Sequence, residues 1–105
     1  MKLTEERAQS LILKALETVK DSDSAYGSLK LNGQTVILGR SSPFDSIAFT
    51  AFATDFEERI EDETGLPYVL RVDEIYRLHG KGAGIRVADM AKYVTQLIER
   101  TPARA

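Results

Sequence analysis

The residues Pro43, Phe44, Asp45, Ser46, Ile47, Ala48 and Phe49 constrain this chain more than any others, because they read as the start of a long helix. Asp45 makes a good N-cap, since its carboxylate can accept from the unpaired N–H groups of a first helical turn. Counted from that cap, Phe44 falls at N′ and Phe49 at N4, the spacing of a hydrophobic staple. Ser46 is then the first helical residue, exposed at the positive end of the helix dipole. A competing start has Ser42 as cap, Pro43 at N1 and Asp45 at N3. In either register Ser46 lies in the first turn or so, where backbone N–H groups favour a phosphate. Its hydroxyl is well placed to carry a phosphodiester and poorly equipped to be a catalytic nucleophile, because no base lies nearby in sequence. Ser46 therefore reads as a serine to which something is attached.

Beyond Ser46 the residues Phe49, Phe52, Ala53, Phe56 and Ile60 recur at helical spacing and form one apolar face. The opposite face carries Asp55, Glu57, Glu58, Glu61, Asp62 and Glu63, with Arg59 as its one basic residue. Gly65 and Pro67 supply a left-handed stop and then a breaker. The segment is a buried stripe backed by a negative surface. The formal net charge of −2 hides that asymmetry, because residues 66–105 carry an excess of basic side chains. An acidic patch of this kind can steer a basic partner, although a plain solvated helix face has the same composition.

The remaining helices follow from periodicity. Residues 4–20 predict a first helix capped by Thr4, with Ala8, Leu11, Ile12, Ala15, Leu16 and Val19 facing the core. A polar stretch at residues 21–24 ends it and opens a long first loop over about residues 21–42. Within that loop, Leu29, Lys30 and Leu31 and then Thr35, Val36, Ile37 and Leu38 flank Asn32-Gly33, a strong hairpin signal. A small β-hairpin and an extended loop with a tight turn both fit, with residues 36–38 helping to close the core. Residues 72–78 predict a short helix with Ile75 and Leu78 inward. Residues 86–100 predict a final helix with Val87, Met90, Ala91, Val94, Leu97 and Ile98 on its apolar face. Thr101 and Pro102 stop it and leave a flexible tail over residues 101–105.

Length and composition bound the class. A chain of 105 residues makes one domain over residues 1–105, with a core of about three or four helices. No apolar run approaches membrane-spanning length and no signal-peptide block is present, so a cytoplasmic protein with no membrane partner is expected. The absence of cysteine excludes disulfides, cysteine nucleophiles and thiolate metal sites. Basic residues are scattered without interleaved aromatics, so no nucleic acid is expected. His79 is the sole histidine, and no nucleophile-elbow pattern accompanies it, so no catalytic residues are assigned and the chain is not expected to be an enzyme. The glycine-rich residues 79–84 lack the spacing of a phosphate loop and read as a connector. The carboxylates do not match a calcium loop, and no metal site is assigned. The phenylalanines read as core that could also border an acyl pocket.

Asp45-Ser46-Ile47 at a helix start, followed by an acidic amphipathic helix, resembles the acyl carrier protein family. In that family an Asp-Ser-Leu/Ile/Met sequence opens the second of four helices, and its serine carries 4′-phosphopantetheine. The resemblance implies an all-α, four-helix acyl-carrier-like bundle of three longer helices and one short one. It places Ser46 at the attachment position, Asp45 at the acid before it and Ile47 at the apolar residue after it. Glu57 and Glu58 fall on the paired acids that such proteins present to partner enzymes, and Glu61 lies on the same helix. The implied partners are a phosphopantetheinyl transferase, which uses coenzyme A and magnesium, and acyl-transferring or acyl-activating enzymes. The implied state is a monomer with an apolar interior that shelters the cargo.

This chain departs from the family pattern in three places. Ala48 stands where an acid often sits two residues after the serine, the first loop is longer, and the third-helix region is extended and basic. Those departures point to a specialised stand-alone carrier more than to the housekeeping fatty-acid one; fatty acid biosynthesis and polyketide or secondary metabolism are the pathways the resemblance implies. Two other classes fit the residues: an unmodified carrier-like helical protein-interaction module, and a small helical adaptor unrelated to carriers.

Overall fold

The computed structural model of the chain describes residues 3–39, 42–80 and 84–100. Four α-helices lie within them: α1 over Glu5–Ser22, α2 over Ser46–Thr64, α3 over Val72–His79 and α4 over Val87–Arg100. Two short strands, β1 over Val36–Leu38 and β2 over Ile85–Arg86, pair antiparallel. The fold is therefore mostly helical with a small two-stranded sheet, consistent with the expected helical bundle, but the expected small β-hairpin in the first loop is replaced by a sheet between that loop and the segment before α4. The expected tail at residues 101–105 and the tip of the glycine-rich connector lie outside the described residues.

α1 begins where its cap predicts. The Thr4 hydroxyl accepts the Arg7 N–H at 3.1 Å, and Glu5 and Glu6 occupy the first turn. The helix runs two residues past residue 20, to Ser22, whose hydroxyl donates to the Val19 carbonyl at 3.0 Å. Its buried residues are Ala8, Leu11, Ile12, Ala15, Leu16 and Val19, the predicted stripe. This stripe packs against both α2 and α4, and α3 rests on α4. Ile75 of α3 is fully buried as predicted, but Leu78, in the last turn of this eight-residue helix, is 39% exposed and not inward.

The long first loop does not form a hairpin. Asn32 and Gly33 do turn, with the Thr35 N–H donating to the Asn32 carbonyl at 3.1 Å and the Gln34 N–H to Asn32 Oδ1 at 2.8 Å. Gly33, however, is not among the glycines with positive φ, and the tight two-residue hairpin turn favoured for Asn-Gly needs that conformation. β1 instead pairs with the distant β2, in the register Val36 opposite Arg86 and Leu38 opposite Ile85. The turn then caps α4: the Val87 N–H donates to the Thr35 carbonyl at 2.9 Å and the Ala88 N–H to the Gly33 carbonyl at 3.0 Å. These are first-turn donors that a helix cannot satisfy internally. Asp89 adds to this end by accepting the Arg86 N–H at 3.1 Å. Ile37 is buried under the sheet while Val36 and Leu38 are half-exposed.

Just past β1, Gly39 has φ +116°, and a Cβ there would stand 3.0 Å from the Gly84 Cα. The segment leading toward α2 is thereby held close to the segment leading into α4. Ser42 continues the link, donating its hydroxyl to the Ile37 carbonyl at 2.6 Å and accepting the Phe44 N–H at 3.2 Å.

Candidate functional site

The N-terminus of α2 takes the first of its two candidate registers. Asp45 is the cap: its Oδ1 accepts the Ala48 N–H at 2.7 Å and its carbonyl accepts the Phe49 N–H at 2.9 Å. Ser42 is engaged with Ile37 and Phe44 and caps nothing here. The ring of Phe44 packs on Tyr26 with centroids 5.3 Å apart, and that of Phe49 on Phe52 at 5.7 Å. Ser46 is the first residue of the helix and is exposed. With the Ala48 donor held by Asp45, the N–H groups of Ser46 and Ile47 are those for which the helix itself offers no acceptor. An anionic group on Ser46 Oγ would meet these donors and the positive end of the dipole. The first turn thus fits a phosphodiester at Ser46, on this chain's own hydroxyl and backbone.

Ile47 is 80% exposed, an unusual position for a large aliphatic residue. From it an exposed stripe descends α2 through Ala51, Thr54, Glu58 and Glu61, at alternating steps of four and three. Asp62 is exposed beside Glu61. The other acids of the helix are engaged. Asp55 pairs with Arg59, whose guanidinium also donates to the Thr18 hydroxyl at 3.2 Å. Glu63 pairs in bidentate fashion with Arg7 at 2.7 and 2.9 Å. The hydrogen bond to Arg7 holds the Glu63 carboxyl below the usual carboxylate range, with burial opposing and the charges of Arg7 and Lys14 adding to the effect.

Glu57 and Glu58, adjacent in sequence, part company in space. Glu58 is exposed, whereas Glu57 is half-buried and accepts the Leu70 N–H at 2.7 Å. The family resemblance paired them as acids that both face partner enzymes. The backbone donor that draws Glu57 aside comes from thirteen residues further on and leaves no local signal.

The apolar side of α2 carries Ala48, Phe52, Phe56 and Ile60 as buried residues, with Phe49 and Ala53 packed partly against the core. Phe52 stacks on Phe56 at 5.7 Å and 9°, and Phe56 meets Tyr68 edge-on at 6.0 Å and 88°. Tyr68 was read only as part of a short apolar stretch. Its neighbours reveal an extended segment with alternating burial, in which Val69 is 66% exposed and Leu70 is buried. A cavity of about 390 Å³ opens elsewhere, over the α1 surface between Gln9, Leu13, Lys14 and Leu31, and Ser46 is not part of its lining.

His79 has a structural role. Its Nε2 lies 3.1 Å from the Gly84 carbonyl, which can only accept, so this nitrogen carries the proton. In the neutral ring Nδ1 then accepts from the Tyr93 hydroxyl at 3.0 Å. This ties the end of α3 to α4 and engages both ring nitrogens. Among the described residues no cluster of three or more His, Asp or Glu side chains is placed to hold a metal ion. No helix among them is long and apolar enough to cross a membrane.

Comparison with protein-family models, curated proteins and solved structures finds no match for this chain.

Proposed function

We propose that this chain is an acyl carrier protein, which holds an acyl or aminoacyl group as a thioester on a 4′-phosphopantetheine arm attached to Ser46. The observation that carries this reading is the exposed serine at the first position of α2, between a carboxylate cap and an 80% exposed isoleucine. A buried structural role would need neither exposure. Four helices with a long first loop and a short third helix support the same reading.

The chain's own part in the chemistry is modest. Ser46 supplies the hydroxyl oxygen that would attack the pyrophosphate of coenzyme A, displacing adenosine 3′,5′-bisphosphate, with its proton passing to the transferase. Asp45 fixes the helix start, so that Ser46 is presented on a rigid element and not on a loop. The backbone N–H groups of Ser46 and Ile47 hold the phosphodiester charge at the helix end. The arm supplies the thiol that this cysteine-free chain lacks. Ile47 offers an apolar contact to partner enzymes, and Glu58 and Glu61 below it attract basic partner surfaces and speed encounter. Glu57 contributes to the shape of this face through its bond to Leu70 more than to its charge.

Incubation with coenzyme A, magnesium and a phosphopantetheinyl transferase tests the proposal. One phosphodiester signal in the phosphorus NMR spectrum of the product supports it. A folded protein that stays unmodified by several transferases contradicts it, and leaves the face of α2 as that of an unmodified interaction module.

A further inference from the structure

The Tyr68 hydroxyl is the buried side-chain polar atom that, among the described residues, has no hydrogen-bond partner. A donor shut away from water without an acceptor is costly, and such an atom calls for an occupant. Its surroundings are directional. Phe49, Phe52, Phe56 and Tyr68 form a continuous row of rings, at steps of 5.7, 5.7 and 6.0 Å. The row starts less than one turn beyond Ser46 and reaches Phe56 at about 15 Å along α2 from Ser46, at 1.5 Å per residue. It ends at the phenol. The last step of the row, from Phe56 to Tyr68, crosses the seam between α2 and the segment that leads into α3. Across that seam run the edge contact of Tyr68 with Phe56 and the hydrogen bond from Leu70 to Glu57, while α3 itself rests on α4. Burial and the nearby charge of Glu57 push the phenol well above its ordinary range, against an opposing pull from Arg71. Tyr68 is thus a neutral donor at physiological pH.

We propose that the Tyr68 hydroxyl is the specificity-determining donor of an acyl subsite along this aromatic row, which favours chains bearing a keto or hydroxyl oxygen over saturated chains. The inference rests on the carrier reading of Ser46 and names the cargo class for that site. The rings sheathe the hydrocarbon part of a chain that enters by parting the seam, and the phenol gives its hydrogen bond to the chain's oxygen. A saturated chain fills the same space but leaves the donor unpaired, which selects against it.

The test loads the protein from octanoyl-, 3-hydroxyoctanoyl- and 3-oxo-octanoyl-coenzyme A. Cleavage of each thioester by hydroxylamine is then compared with cleavage of the same acyl group on free pantetheine. The wild-type protein should protect the two oxygenated chains roughly tenfold better than octanoyl, the scale of one buried hydrogen bond. The Tyr68 ring resonances should shift with those chains alone. Tyr68→Phe should load normally, keep its octanoyl protection and lose the preference. Equal protection of all three chains, or a preference unchanged in Tyr68→Phe, would overturn the inference and assign the hydroxyl to an ordered water only. Absence of loading on the folded protein would overturn the carrier reading itself, and this inference with it.

Discussion

The carboxylate of Glu57 accepts the backbone N–H of Leu70 at 2.7 Å, joining the middle of α2 to the segment that enters α3. This bond separates Glu57 from the exposed Glu58 and Glu61 in what each substitution should do. Glu57→Ala leaves a half-buried N–H without its charged acceptor and should destabilise the fold by about 1–2 kcal/mol, read by urea denaturation. Glu57→Gln, which keeps an acceptor oxygen, should cost less. Glu58→Gln and Glu61→Gln should leave stability unchanged and slow association with a basic partner enzyme at low salt. Equal stability of Glu57→Ala and the wild type would remove the structural role given to Glu57.

The Asp45 cap holds the Ala48 N–H at 2.7 Å. Asp45→Ala should lower stability by about 1 kcal/mol, and Asp45→Asn by only a few tenths, since asparagine caps about as well. Thermal unfolding of the two variants checks the order. An equal loss in the two variants would show that the charge matters more than the hydrogen bond, since both remove the charge and only asparagine keeps an acceptor.

Gly39 combines φ +116° with a close approach to the Gly84 backbone at 3.0 Å. Gly39→Ala must adopt a conformation that L-residues avoid and also push two chain segments apart. It should destabilise by about 1–3 kcal/mol. Gly65, with φ +76° and nothing near its missing side chain, is strained by Ala in conformation alone, so Gly65→Ala should cost less. Guanidinium denaturation of both variants gives the comparison, and a Gly65→Ala loss as large as that of Gly39→Ala would argue against the close approach.

The Arg7–Glu63 pair sets a dependence on acid. The folded-state pKa of Glu63 is lowered, first by its hydrogen bond from Arg7. Its contribution to stability is therefore fully present above the ordinary glutamate range and is lost as pH falls through the lowered folded value. The pair is largely exposed, so the contribution is small. Stability measured from neutral pH downward should show the wild type ahead of Glu63→Gln and the gap closing in acid. A gap that stays constant with pH would contradict the assignment.

Features governed by local rules were legible in the sequence. The apolar stripe of α1 matches its buried residues, and Thr4, Asp45 and Gly65 terminate helices as their chemistry requires. The start of α2 was legible as one of two registers, both with Ser46 in the first turn, and the bond from the Ala48 N–H to Asp45 selects between them in the structure. Features that depend on distant backbone were not legible. Asn32-Gly33 turns as expected, but the partner of β1 is decided by Ile85 and Arg86, nearly fifty residues away. Glu57 is drawn inward by the Leu70 N–H, and Leu78 is left exposed in the last turn of α3 while Ile75 is buried. The orphaned hydroxyl of Tyr68 had no signal in the sequence, where Tyr68-Val69-Leu70 is one apolar run and the alternation of burial appears only in the structure.

The central claim is that Ser46 is an attachment site, and intact mass tests it most directly. The wild-type protein and Ser46→Ala are each incubated with coenzyme A, magnesium and a broad-specificity phosphopantetheinyl transferase. The account predicts a gain of one phosphopantetheinyl group in the wild type and none in Ser46→Ala, with the helical circular dichroism of both unchanged. A gain retained in Ser46→Ala would move the attachment to another serine, and no gain in the folded wild type would reduce Ser46 to the first residue of a helix.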